Sequence, residues 1–165
     1  RYMARFNDQD WFTKLRDFYV ANTDANIRGT ISRAMIFSDE QQISKTLDFA
    51  LSDHVSPANA MTNVYAAISG LDDQTMFYVW LDKNFDALSK KIPAYHMTRM
   101  PEYFSSTCDA DNIMLAEKFY AGKKENVEGM ARSYDIAIYS AKQCQWLKDN
   151  NQANFNRYLK AATNI

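Results

Sequence analysis

The stretch from Ser56 to Leu88, SPANAMTNVYAAISGLDDQTMFYVWLDKNFDAL, limits the possible folds of this chain more than any other. It reads as two helices separated by a tight break at Gly70. Ser56 is a strong N-cap, and Pro57 falls at the first helical position, where its missing N–H costs nothing. Met61, Val64, Tyr65 and Ile68 share one helical face. Gly70 is expected in the left-handed conformation that closes a helix. Asp72 or Asp73 caps the next helix, whose Phe77, Trp80, Leu81, Phe85 and Leu88 make an apolar face broad enough to need neighbours on both sides. The pair therefore predicts further helices packed before and after it.

The rest of the chain supplies them. A first helix is predicted from about Asp8 to Ala21, with Trp11, Leu15, Phe18 and Tyr19 at helical spacing. A second runs from about Asp24 to Ile36 through Ile27, Ile31, Ala34 and Met35. Ser38 opens a third, with Gln41 completing a capping box, and Ile43, Leu47, Ala50 and Leu51 follow. Beyond Lys91 the pattern loosens: Pro93 starts a short helix and Pro101 bends or ends it near Met100. Ser105-Ser106-Thr107 reads as a turn. Asp109 or Asp111 leads a helix through Met114, Leu115, Phe119 and Tyr120 to Gly122. The longest helix is predicted from about Glu125 to Lys148, through Val127, Met130, Tyr134, Ala137, Ala141, Cys144 and Leu147. Asp149-Asn150-Asn151 breaks it, and a last helix carries Phe155, Tyr158, Leu159 and Ala162.

No stretch alternates apolar and polar residues, so no strand is expected. Four Gly and three Pro in 165 residues also argue for long regular elements. The expected fold is all-α, with antiparallel helix pairs stacked as an irregular superhelical array of the HEAT or armadillo kind, over residues 1–165 as one domain. A net charge of −1 offers nothing to attract nucleic acid, and no apolar run is long enough to span a membrane. The chain starts at Arg1 without a signal peptide or an initiator Met, as expected of a fragment or processed product of a longer protein. The compartment stays open.

Sites for chemistry are sparse. Zinc hydrolysis needs two imidazoles and a carboxylate on one face. This chain has only His54, in a predicted turn, and His96, in the short helix. Neither has a spaced partner. There is no G-x-S-x-G and no Gly-rich phosphate loop. Cys108 and Cys144 are expected to be two buried thiols; a disulfide between them would require an oxidising compartment. A Cys144–His96 dyad stays open on sequence alone, although Cys144 lies on an apolar face. The pairs Asp72-Asp73 and Asp109/Asp111 are read as helix caps. Lys90-Lys91 suits a helix C-terminus, and Lys123-Lys124 a solvated turn. Tyr78 and Tyr139 fall off the main apolar stripes and would face either a neighbouring layer or a binding surface. The residues alone thus give no catalytic site, no metal site and no fixed substrate-binding residues.

Four segments carry a resemblance over Trp11 to Leu159. RAMIFSDEQQISKTLDFALS pairs a short helix, an acidic turn and a leucine-bearing helix. VYAAISGLDDQTMFYVWLDKNFDAL ends in W-x-x-x-x-F-x-x-L, here Trp80, Phe85 and Leu88. YFSSTCDADNIMLAEKFY and IYSAKQCQWLKDNNQANFNRYL follow in order, the latter with Trp146 and Leu147. Together they resemble the C-terminal helical domain of the aminopeptidase N-like (gluzincin) zinc metallopeptidases, which include the endoplasmic reticulum aminopeptidases. The chain departs from the family pattern at Asp73-Gln74, where Gly-Arg is usual, and at Gln143-Cys144, near an expected Asn.

The resemblance implies a non-catalytic domain that caps the active-site chamber of a zinc aminopeptidase and limits peptide access. The zinc, its H-E-x-x-H helix and the G-x-M-E-N segment would belong to an upstream catalytic domain of the same chain. That domain and the peptide substrate are the implied partners. This chain alone would then remove no N-terminal residues, although its parent would. The first helices would expose an apolar face that the upstream domain covers. The alternatives are a free-standing helical-repeat adaptor binding a protein or peptide on its concave face, and an independent helical enzyme, for which the sequence offers no polar cluster.

Overall fold

A computed structural model of the chain describes residues 10–104 and 107–163. Among these residues every regular element is helical. They are α1 (Trp11–Ala21), α2 (Ala25–Ala34), α3 (Glu40–Leu51), α4 (Pro57–Ile68), α5 (Thr75–Lys91), α6 (Ala94–Thr98), a 3-10 turn (Met100–Phe104), α7 (Ala110–Ala121) and α8 (Met130–Thr163). The chain divides into two compact units, Arg1–Met97 and Thr98–Ile165.

The helix starts follow local capping chemistry. The Asp24 carboxylate accepts from the Asn26 and Ile27 amides, and Ser56 Oγ from the Asn59 amide at 3.3 Å. Asp109 accepts from Asp111 and Asn112 at 3.1 and 3.0 Å. Each satisfies first-turn N–H groups that no helical carbonyl can reach. Three caps differ from expectation. The first helix is capped by Asp10, which accepts from Thr13; Asp8 lies outside the described residues. Asp39, not Ser38, caps α3 by accepting from Gln42. The Ser38–Gln41 box is displaced because Asp39 caps equally well one residue later and starts the helix there. Gln74 is the N-cap of α5 but its side chain does not bond the first-turn amides, while Asp73 accepts from the Thr75 amide at 2.8 Å.

In the first unit α4 packs against α2, α3 and α5, while α1 packs against α2 and α3. Tyr19, Met35, Phe37, Ile43, Leu47, Val64, Leu81 and Leu88 form its fully buried interior. Phe49 on α3 meets Phe12 and Tyr19 of α1 edge-to-face, with ring centres at 6.0 and 5.4 Å. Trp80 Nε1–H donates to Asp48 at 2.9 Å, tying α5 to α3. The Lys91 ammonium donates to the Ser52 carbonyl at 2.8 Å, between the C-terminal ends of the same two helices. Tyr78 is buried in this layer.

Two expectations about α4 are corrected. Tyr65 is 49% exposed, because Ala60, Asn63 and Ala67 pack on the sides that a three-neighbour helix must also bury. Gly70 does not take a positive φ; among the described residues Gly129 alone does, at 79°. Gly70 is required for a different reason. A Cβ there would lie 1.8 Å from the Phe37 carbonyl oxygen, so two backbones approach where no side chain fits.

In the second unit α8 packs against the 3-10 turn and α7. The turn over residues 122–129 ends with Gly129 at positive φ, and the Thr98 hydroxyl donates to the neighbouring Glu128 carbonyl at 2.8 Å. Helix α8 therefore begins at Met130, five residues later than expected. It also runs unbroken through Asp149-Asn150-Asn151. The Asn150 and Asn151 side-chain amides donate back to the Trp146 and Leu147 carbonyls at 2.7 and 3.2 Å, the i−4 bond that such side chains make when they sit inside a helix. Ile113 and Phe119 of α7 are buried, but Met114 is 59% exposed. Ser105 and Ser106, and the side chains of Phe155, Tyr158, Leu159 and Ala162, lie outside what the structure describes.

Candidate functional site

Two features of the described residues merit chemical scrutiny, one in each unit. The first is an open cleft of about 490 Å³ lined by Arg16, Asp17, Val20, Ala21, Phe49 and His54. Helix α1 supplies four of these side chains from one side. Val55 is buried and its amide donates to Ser52, which fixes the turn carrying His54 at the end of α3. The Arg16 Nε and Nη2 donate to one Asp17 oxygen at 3.0 and 2.7 Å, so this pair largely neutralises itself. What remains is one imidazole over an apolar floor. No hydroxyl or thiol lines the cleft. It can hold a small apolar group with a polar rim, but it presents no nucleophile beside a base.

The second feature is the far end of the α7–α8 pair. Cys108 and Cys144 form a disulfide with their Cα atoms 4.9 Å apart. This corrects the expectation of two buried thiols. Both cysteines are half-buried, and 36 residues of sequence separate two positions that the helical hairpin brings together. The bond also removes the Cys144–His96 dyad, since a disulfide sulfur carries no thiolate. Nearby, Lys142 pairs with Glu117 at 2.7 Å, and this hydrogen bond holds the ammonium above its ordinary pKa. Partial burial and the Glu117 charge push the Tyr134 hydroxyl up as well.

The structure does not gather the histidines. His54 is in the cleft, whereas His96 is on α6 against the Tyr95 ring, with ring centres at 5.4 Å. Among the described residues no three His, Cys, Asp or Glu side chains are grouped to hold a metal ion. No helix among them is long and apolar enough to cross a membrane. Tyr78 is buried, and burial raises its hydroxyl well above the usual phenol range. Tyr139 is 67% exposed on α8 and accepts from Gln143 at 3.2 Å. Sequence reasoning missed the cleft, which exists only because α1 lies across the end of α3. The disulfide had one visible signal, an even cysteine count.

The fold thus defines an all-helical domain held together by apolar helix faces and, in its second unit, by a disulfide. Residues 1–143 match the family model for the ERAP1-like C-terminal domain, and the chain belongs to that family: it is a C-terminal domain of the ERAP1-like aminopeptidases. Comparison with curated proteins returned no match.

Proposed function

We propose that this domain is non-catalytic and covers the active-site chamber of a zinc aminopeptidase, limiting which peptides reach it. All 165 residues would belong to the C-terminal part of that enzyme. The observation that carries the reading is the family match over residues 1–143. The sequence adds support, because H-E-x-x-H and G-x-M-E-N are not in it. Zinc and the amine-anchoring residues would then come from the upstream domain. This domain's helices would form a wall of the chamber and contact the peptide.

Zinc content and aminopeptidase activity of this chain and of its parent, measured side by side, test the division of labour. Zinc and activity are expected in the parent alone. Stoichiometric zinc in this chain, or release of N-terminal residues by it, would overturn the proposal. The wall is tested with a peptide-length series on the parent enzyme with and without this domain. The expected result is a length preference that disappears on deletion while short substrates are still cut. An unchanged preference would refute the capping role.

A further inference from the structure

We propose that α2 and α4 enclose a site for one internal water molecule, held between the Ser32 hydroxyl and the Asn63 side-chain amide. Both residues are completely buried, at 0% exposure. Neither Ser32 Oγ nor Asn63 Oδ1 and Nδ2 has a hydrogen-bond partner among the described residues. Gln42 and Thr46, also buried in the first unit, behave differently. Gln42 accepts from the Phe12 amide at 3.1 Å, and Thr46 donates to the Gln42 carbonyl at 2.8 Å.

The local outlet for such groups is not taken. Inside a helix, Ser, Thr and Asn side chains can donate to the carbonyl four residues back. Asn84 does so to Trp80 at 2.9 Å, and Thr30 to Asn26 at 2.9 Å. Ser32 and Asn63 do not, and neither reaches solvent. Their polar atoms are therefore committed to the interior and not to their own helices.

Register brings the two together. Helices α2 and α4 pack against each other and run parallel. A Cβ on Gly29 would lie 3.7 Å from Asn59 Oδ1, in the first half of both helices, and one on Gly70 would strike the Phe37 carbonyl, past the ends of both. Ser32 is one turn beyond Gly29, and Asn63 is one turn beyond Asn59. They consequently face one another across the interface. Their neighbours one turn away on α4, Ala60 and Ala67, are buried and bring no polar group.

Two facing groups that do not bond each other stand more than a hydrogen-bond length apart, and a single water spans such a gap. An amide and a hydroxyl buried without partners forfeit the bonds they make to water in the unfolded chain, which penalises folding. One water restores them by accepting from Asn63 Nδ2–H and donating to Ser32 Oγ. The three atoms supply the set of about two to four polar partners that a buried water requires. The backbones approach closely at Gly29 and Gly70, so the occupant is the smallest molecule able to make these bonds.

A crystal structure of the intact protein, at a resolution that shows ordered solvent, tests the site. One water should lie about 2.7–3.2 Å from both Ser32 Oγ and an Asn63 side-chain atom. A dry interface, or a direct Ser32–Asn63 bond, would overturn the proposal. Unfolding equilibria then show whether the two side chains share the water. Ser32→Ala should lower the folding constant about tenfold in the parent protein, because Asn63 and its water lose a partner. In an Asn63→Leu background the same change should cost no more than about twofold, because no polar group is left to satisfy. Equal costs in the two backgrounds would refute a shared water. The crystal structure decides the matter even where Asn63→Leu prevents folding.

Discussion

Gly70 shows how one residue can be constrained by tertiary contact while looking like a local signal. Its place after a helix suggests a left-handed cap, yet the Phe37 carbonyl is what excludes a side chain there. Replacing it with alanine should cost about 2–3 kcal/mol, the upper part of the overpacking range, because the obstacle is backbone and cannot move aside. Gly122 is the control. A Cβ there meets nothing within 4 Å and its φ is −100°, so Gly122→Ala should be neutral or slightly stabilising. Denaturant midpoints of the two variants check both statements, and equal midpoints would contradict the close approach at Gly70.

At the level of elements, helix ends and helix continuity are set by short-range hydrogen bonds. Asp10 and Asp73 accept from Thr13 and Thr75, and these bonds hold both carboxyls below their usual pKa. A folded-state pKa below the unfolded one means that the stabilisation is complete above about pH 4 and is lost as pH falls through the lower folded value. The Asp10→Asn/Asp73→Asn variant should therefore lose less stability than the parent between about pH 5 and pH 2. Chemical denaturation across that range measures it, and superimposable profiles would show that the caps do not act. Helix α8 makes a second prediction. Because it continues through Asn150, Asn150→Pro should remove helical circular dichroism and amide protection beyond that point, at a cost of about 3 kcal/mol. If the chain broke at 149–151, the substitution would be nearly silent.

For the whole molecule, the informative surfaces are those that the described fold leaves open. Helix α1 buries Phe12 and Tyr19 but leaves Phe18 57% and Val20 39% exposed. This is consistent with an edge helix that meets another part of a larger protein. Phe18→Ser should lower hydrophobic-dye binding while changing stability by no more than about 0.5 kcal/mol. A large loss of stability would mean that Phe18 is packed in solution. The two units also differ in how they are held. Aromatic and aliphatic layers fill the first, and in the second a disulfide joins α8 to the residue before the Asp109 cap of α7.

The sequence by itself determined the all-helical class, most helix positions and the family. Those signals are local: Ser56 before Pro57, Asp24 and Asp109 at helix starts, and the spacing of Phe77, Trp80, Leu81, Phe85 and Leu88 are each written within a few turns of chain. Tertiary structure decided what depends on residues distant in sequence. It exposed Tyr65 and Trp146, buried Tyr78, brought Arg16, His54 and Phe49 around one cleft, and joined Cys108 to Cys144. Periodicity shows that a face is apolar, but not how many neighbours cover it. A helix with one apolar stripe can be packed on three sides, as α4 is. Two cysteines 36 residues apart meet only once the hairpin between them has formed.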